Sequence, residues 1–110
     1  MIKVFLIDKT GHSEAFCGPG MIRLLDEINL TRNVRKASAN IGLSYSKAWK
    51  LLRLAEECAG FPLIERRQGG AGGGSATLSE KGIRFLEKYH ALFEKCQASV
   101  EQIFAEIWTE

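Results

Sequence analysis

The segment from Asn33 to Arg53, NVRKASANIGLSYSKAWKLLR, constrains the fold of this chain more than any other. Apolar residues recur at helical spacing on both sides of Gly42, which can take the left-handed conformation that turns a chain between two helices. Asn33 and Ser44 each stand where a side chain would cap the start of a helix. The segment therefore predicts a helix-turn-helix whose second helix runs from Ser44 to about Ala59 and stops at Gly60.

The second helix of this pair has an apolar back and a cationic front. The back comprises Ala48, Leu51, Leu52 and Ala55, and the front comprises Ser46, Lys47, Lys50 and Arg53. From Arg32 to Arg53 there are six basic residues and no acidic one. A cationic helix presented by a turn is suited to the groove of DNA, although a basic helix face is often only a solvated surface.

The distribution of charge is more informative than the net charge of +2. Residues 31–84 contain ten Lys or Arg and four Glu, whereas residues 94–110 contain four Glu and one Lys. A basic middle and an acidic end fit a nucleic-acid footprint with one segment turned away from it. A chain of 110 residues is most simply one domain with a modest core.

Short strands are predicted on either side of the helices. Residues 2–7 and 13–17 predict an N-terminal β-hairpin, and a first helix follows at about 19–29. Residues 63–68 and 76–78 predict two further strands, with the glycine-rich run GGAGGG between them. This arrangement is typical of a wing whose glycine amides approach phosphates, with a flexible loop as the alternative. No Gly-Lys-Ser/Thr follows the glycines, which argues against a nucleotide-binding loop.

From residue 79 to about 108 the pattern predicts one helix, capped by Ser79 and about 45 Å long. Its apolar stripe is longer than the preceding residues can cover, so we expect a second copy of the chain to cover it. The alternative is a bent helix that folds back on its own core. The predicted dimerisation residues are Phe85, Tyr89, Leu92, Phe93, Cys96, Val100, Ile103, Phe104 and Ile107.

The sequence offers little for catalysis, metal binding or membrane insertion. His12 and His90 have no Asp or Cys spaced to orient them, and the three cysteines form no CxxC pair, so we predict neither an enzyme nor a metal site. Glu56 and Glu57 are adjacent in a helix and are expected to face solvent. No apolar run reaches the length of a signal peptide or a membrane span, which predicts a cytoplasmic protein.

Three runs carry a resemblance to a known family: GPGMIRLLDEI, ASANIGLSYSKAWKLL and GFPLIERRQGGAGGGSATLSEKG. Over about residues 2–105 the chain resembles the N-terminal DNA-binding domain of the molybdate-dependent (ModE-type) transcriptional regulators. It is more distantly similar to the helix-turn-helix of the LysR-type regulators. The resemblance implies a winged helix that dimerises through its long C-terminal helix and binds palindromic operators in double-stranded DNA.

The resemblance also implies roles for individual residues. The residues that the resemblance implies to bind DNA are Ser44, Tyr45, Ser46, Lys47 and Lys50 on the second helix of the pair, with Arg66 and the glycines, Gly70 among them, on the wing. The charge pattern adds Arg53 on the front of that helix and Arg67 at the root of the wing. Trp49 matches a tryptophan of the family and is expected to pack between helix and wing. Tyr45 could reach a phosphate or fill the core.

The fold expected from all these observations is mostly α with small β. It is a winged helix-turn-helix with an N-terminal β-hairpin over residues 1–78, and residues 79–110 form the dimerisation helix of the same unit. The oxyanion-binding domains of the full-length regulators have no counterpart here, so we expect a stand-alone form with no cofactor and a separate effector-sensing protein. The alternative function is a winged-helix adaptor that binds proteins and does not read DNA.

Overall fold

The computed structural model of the protein describes residues 2–7, 15–66 and 75–109. Along these residues the elements are β1 (Leu6–Ile7), β2 (Ala15–Cys17), α1 (Pro19–Thr31), α2 (Val34–Asn40), α3 (Tyr45–Ala59), β3 (Ile64–Arg66), β4 (Ala76–Leu78) and α4 (Glu80–Ile107). Strand β1 pairs with β2 and strand β3 with β4, both in antiparallel fashion. The predicted fold, mostly helical with two small hairpins and a long last helix, is confirmed.

The helix-turn-helix forms because its local signals agree with each other. The Asn33 side chain accepts the Lys36 N–H at 2.9 Å at the start of α2, and the Ser44 hydroxyl oxygen accepts the Lys47 N–H at 3.2 Å at the start of α3. Gly42 turns the chain between the two helices with φ +71°. These caps satisfy backbone N–H groups that a helix start leaves without a partner, so the predicted helix starts are confirmed.

Helix α1 extends two residues beyond its predicted end. The Thr31 hydroxyl donates to the Glu27 carbonyl oxygen at 2.8 Å, which adds a side-chain bond to the last turn. Arg32 then ends the helix in the left-handed conformation, with φ +56°, and its N–H bonds the Ile28 carbonyl at 2.7 Å. The sequence contains no glycine at this end, so the left-handed stop is made by Arg32 and lacks the usual glycine signal.

The first strand is shorter than predicted, since only Leu6–Ile7 of residues 2–7 form β1. The hydroxyl of Tyr89 on α4 donates to the carbonyl oxygen of Val4. The backbone at Val4 is therefore bonded by a side chain of α4, whereas the prediction had this part of the chain paired in a β-hairpin. Within the predicted second strand, residues 15–17 form β2, and residues 13 and 14 lie outside the described residues.

The core lies where α1, α2 and α3 meet the two hairpins. Its largest fully buried apolar side chains are Leu24, Leu25, Ile28, Leu52, Leu63 and Val34. Burying a leucine or isoleucine completely contributes about 1.5–3 kcal/mol to folding. The helix-turn-helix is therefore held by its apolar back, and its polar front is left on the surface.

Helix α4 begins on the connection between α3 and β3. The Ser79 hydroxyl donates to the Pro62 carbonyl at 2.6 Å and accepts the Gly82 N–H at 2.9 Å, while the Ser79 N–H donates to the Leu63 carbonyl at 2.8 Å. A Cβ at Gly82 would overlap that Leu63 carbonyl oxygen. The cap at Ser79 is confirmed, whereas the need for glycine at position 82 was missed by the sequence analysis.

From this base α4 continues without a break, and the molecule measures 61 × 30 × 24 Å. The alternative of a bent helix that folds back on its own core is therefore wrong. Every residue from 98 to 109 is exposed. Among the described residues, no helix is both long enough and apolar enough to cross a membrane.

Burial of Cys17 predicts a loss of stability at alkaline pH. Burial raises the pKa of the Cys17 thiol from 9.0 to about 12. The pKa of the Tyr89 hydroxyl is also raised, mainly by burial and to a lesser extent by the charge of the nearby Cys17 thiolate. Above about pH 9 the unfolded chain releases the Cys17 proton and the folded chain retains it. We therefore expect the free energy of unfolding to fall between about pH 9 and 12, by at most about 1.4 kcal/mol per pH unit for this group.

Guanidinium unfolding at several pH values measures this effect, with Cys17→Ala as the comparison. The stability advantage of the natural chain over Cys17→Ala should shrink steadily above about pH 9. An advantage that stays constant from pH 8 to 11 would contradict the assignment.

Candidate nucleic-acid interface

Helix α3 is held by small residues, which bring it close to its neighbours. Ala48, Leu52 and Ala55 are fully buried on its back. Two alanines in that row let α3 approach the other helices, and Leu52 fills the space between them. The opposite side of α3 is thereby fixed toward solvent.

The predicted front of α3 faces solvent as expected. Ser44, Ser46, Lys47, Lys50 and Arg53 are all exposed, and Tyr45 is half-buried. The Ser44 oxygen accepts the capping bond of α3, and a hydroxyl that accepts one bond can still donate its own proton. The structure therefore gathers these residues on one surface, with three cations and three hydroxyl-bearing side chains along α3 and its cap.

Two aromatic rings lie beside this front, and each carries an arginine. The Tyr45 and Trp49 rings meet edge to face, with centroids 6.3 Å apart and planes at 87°. The Arg35 guanidinium of α2 lies 4.2 Å from the Tyr45 centroid, and that of Arg66 on β3 lies 4.1 Å from the Trp49 centroid. The prediction that Trp49 packs between helix and wing is confirmed. Arg35 was missed as a site residue because spacing did not distinguish it from the other basic residues of the segment.

The stem of the wing is fixed to the rest of the domain. Strands β3 and β4 pair in register, with Arg66 opposite Ala76. The Ala76 N–H donates to the Arg32 carbonyl at 3.1 Å, and Ser75 bridges to Asn33 at the start of α2. The predicted wing sites Arg67 and Gly70 lie outside the described residues, as does the GGAGGG run.

Glu56 has a structural role that corrects the prediction of a solvent-facing carboxylate. Its Oε2 atom accepts the N–H of Leu63 at 2.8 Å and the N–H of Ile64 at 3.3 Å. The chain returns toward α3 after Gly60, which brings these amides to the side chain. Glu56 thus anchors the start of β3, whereas Glu57 is exposed as expected.

The predicted dimerisation residues fall into three groups by exposure: one is buried, three are half-buried and five are exposed. Tyr89 is 4% exposed and bonds Val4, while Phe85 packs edge to face on Phe61 with centroids 6.5 Å apart. The assignment of Tyr89 to a surface between copies is therefore corrected, because its side chain is buried within its own chain. Phe85, Phe93 and Cys96 are half-buried, and Leu92, Val100, Ile103, Phe104 and Ile107 are exposed.

His90 on α4 reaches back to α1. Its Nε2 atom lies 3.0 Å from one carboxylate oxygen of Asp26 and 3.2 Å from the other. No Asp is spaced near His90 in the sequence, since Asp26 is 64 positions away and meets it only through packing. The pair connects the exposed surfaces of α1 and α4.

The fold and this surface define a winged helix-turn-helix domain with a cationic third helix. Three helices bury a common core, a two-stranded wing follows the third helix, and the front of that helix is cationic.

No family model matches the chain, but individual proteins do. It is 34% identical over 77 residues to the DNA-binding transcriptional dual regulator ModE of Escherichia coli K12, a match that covers 70% of this chain and 29% of the relative. It is 32% identical over 82 residues to the molybdenum transport protein ModE of Azotobacter vinelandii, covering 74% of this chain and 30% of the relative. The chain thus spans about three-tenths of the length of these relatives. The predicted resemblance to the N-terminal region of ModE-type regulators is confirmed.

Solved structures agree on the fold. The CbnR_DBD-DNA complex matches with a TM-score of 0.65 and 18% identity, over 86% of this chain and 99% of that chain. VV2_1132, a LysR family transcriptional regulator, matches with a TM-score of 0.60 and 16% identity, over 83% of this chain and 30% of that chain. The LysR-like arrangement of the helix-turn-helix is therefore confirmed at the level of fold.

Proposed function

We propose that this chain is the DNA-binding part of a transcriptional regulator that binds a two-fold symmetric operator as a homodimer and acts in molybdenum metabolism. The observation that carries the proposal is the exposed cationic front of α3, held beside a wing in a segment similar to ModE. Helix α3 would enter the major groove with its N-terminal residues toward the bases. In the dimer, the two copies of α3 would lie about one helical turn of DNA apart.

The charges of the interface support DNA as the partner. Lys47, Lys50 and Arg53 are exposed on α3, and Arg35 and Arg66 flank them from α2 and the wing. Five cations on one face can neutralise several phosphates, which is the main source of affinity for DNA. The similar proteins are named as regulators and DNA-binding proteins, which points away from an enzyme.

The exposed end of α4 supports a dimer. Its apolar residues Phe93, Cys96, Val100, Ile103 and Ile107 are spaced alternately by three and four, the pattern of a two-stranded coiled-coil seam. Val100 is 43% exposed and Ile107 is 64% exposed, so the seam is uncovered on a single chain. The same surface would serve an adaptor, and the two functions differ in whether the isolated chain pairs with itself.

The molybdenum connection rests on the relatives, one of which is named a molybdenum transport protein. We propose that this segment supplies the DNA contacts and binds no molybdate itself, so that sensing falls to a further domain or a separate protein. Cytoplasmic location remains a prediction that accompanies the DNA-binding role.

A salt titration with a lysine variant tests the proposed function. We expect specific binding to the protein's own promoter region, with an affinity that falls steeply as salt rises. Lys50→Ala should weaken binding and reduce the slope of log affinity against log salt by about 0.9, the contribution of one phosphate contact. If Lys50 contacts a base, sequence preference should relax as well.

Lys95→Ala is the matched control, because Lys95 is also exposed but lies on the distal half of α4. It removes the same charge and should leave both affinity and slope nearly unchanged. The proposal fails if the natural chain gives no specific, salt-dependent complex, or if the two variants behave alike.

A further inference from the structure

Four side chains form a continuous ladder across the candidate interface, from α2 over α3 to the wing. In order they are Arg35, Tyr45, Trp49 and Arg66, a cation at each end and two rings in the middle. Both arginines are exposed and both rings are half-buried. Because Tyr45 and Trp49 are four residues apart, they lie one turn apart on the same side of α3, and the ladder fixes a cation at each end of that side.

A guanidinium stacked on a ring retains its N–H donors at the edge of its plane. Those donors match two phosphate oxygens in a bidentate pair. Because stacking already restricts the side chain to a few rotamers, less conformational entropy is lost when the arginine binds a phosphate. The contacts of 4.2 and 4.1 Å lie well within the range in which a ring attracts a cation. Each ring is thus a platform that orients one arginine before DNA arrives.

The same geometry limits what the rings themselves can do. Each ring has an arginine over one face, and the edge of one ring meets the other ring at 87°. Base reading on α3 then falls to exposed side chains such as Ser46, Lys47 and Lys50.

We propose that Tyr45 and Trp49 are positioning residues that hold Arg35 and Arg66 as paired phosphate contacts along one side of α3. This inference rests on the proposed DNA-binding function and adds a separate role for each part of the interface. The rings preorganise the arginines, the arginines fix the domain on the phosphate backbone, and the polar front of α3 reads the groove.

A double-mutant cycle between Trp49→Leu and Arg66→Ala tests the proposal by DNA affinity and salt slope. Arg66→Ala should reduce the slope by about 0.9 because a phosphate contact is lost. Trp49→Leu should weaken binding about two- to fivefold, the range expected for an exposed cation–ring contact, with the slope unchanged because the charge remains. In the Trp49→Leu background, Arg66→Ala should then weaken binding less than it does in the natural chain, by that same factor.

The control cycle pairs Trp49→Leu with Lys50→Ala. If Trp49 only supports the packing of α3, its loss should alter the effects of Lys50 and Arg66 equally, which would overturn the proposal. Additive effects of Trp49→Leu and Arg66→Ala would overturn it too. If the natural chain binds DNA but the cycle shows no coupling between Trp49 and Arg66, the ladder is refuted and the proposed function is not. If the natural chain shows no salt-dependent DNA binding, the proposed function itself is refuted.

Arg66→Lys provides a second measurement that leaves Trp49 intact. Lysine retains the charge but has no planar group to stack on the ring. We expect a two- to fivefold loss of affinity with the salt slope unchanged. An affinity equal to that of the natural chain would show that charge alone matters at this position and would contradict the proposal.

Discussion

Replacement of Gly82 by alanine is expected to lower the free energy of unfolding by about 1–3 kcal/mol, after the helix preference for alanine is subtracted. An added Cβ would overlap the carbonyl oxygen of Leu63 and lie 3.1 Å from both the Leu63 carbonyl carbon and the Ser79 hydroxyl oxygen. Both neighbours are fixed by hydrogen bonds that join the start of α4 to the α3–β3 connection. Overpacking of this kind typically costs about 1–3 kcal/mol, and loss of the capping bond would add about 1 kcal/mol.

The sign of this effect opposes the intrinsic preference of the helix. Alanine is favoured over glycine inside a helix by about 1 kcal/mol, so a helix position with open space would become more stable. Gly20 in the first turn of α1 supplies that comparison, since a Cβ there would meet nothing within 4 Å. Chemical unfolding of both variants should show Gly82→Ala destabilised and Gly20→Ala unchanged or more stable. Equal stabilities for the two variants would mean that α4 does not approach Leu63 this closely.

A glutamate in place of Ile103 is expected to dissociate the proposed dimer. Ile103 is 53% exposed on a single chain and lies in the middle of the α4 seam. Since about half of the Ile103 surface is still open to be covered, each of two copies would lose about 0.8–1.5 kcal/mol of apolar burial, so the dimer dissociation constant should rise at least about tenfold. The fold should persist because this part of α4 lies outside the core.

Loss of the dimer should also weaken operator binding. Two linked half-site contacts exceed one by about 10²–10⁴ in affinity, so Ile103→Glu should lose binding to a two-fold site and retain binding to a single half-site. Ala98→Glu adds the same charge on the side of α4 opposite Val100 and should change neither property. Sedimentation at several concentrations and binding to whole and half operators measure the two effects. A natural chain that sediments as a monomer would favour the adaptor function instead.

The local signals in the sequence predicted most of the helical architecture. Asn33, Ser44 and Ser79 cap helices through bonds to N–H groups only three residues away. Gly42 and Gly60 take positive φ at the turn and at the end of α3. These caps and turns involve only residues that are close together in the sequence, so the sequence alone is sufficient to locate them.

The surface of α3 was also predictable, because its two faces follow the helical period. Lys47 and Lys50 are exposed on the front, and Ala48 and Leu52 are buried behind them. The helical period of α3 did not reveal which side chains stack on the rings of Tyr45 and Trp49. Arg35 and Tyr45 are ten residues apart, and Trp49 and Arg66 are seventeen apart. Their stacking depends on how α2, α3 and the wing pack.

By itself, the sequence determined the helix-turn-helix, the pairing of the wing strands and the long final helix, since caps, turns and apolar periods act over a few residues. Only the tertiary structure decided that Tyr89 is buried against Val4, that Glu56 holds the start of β3, and that position 82 must be glycine. It also decided that two arginines stack on Tyr45 and Trp49 beside the cationic front. The physical reason is that each of these contacts lies beyond the reach of caps and helical periods. Glu56 meets its amides where the chain returns after Gly60, and the other partners are brought together by the packing of helices and strands around a shared core.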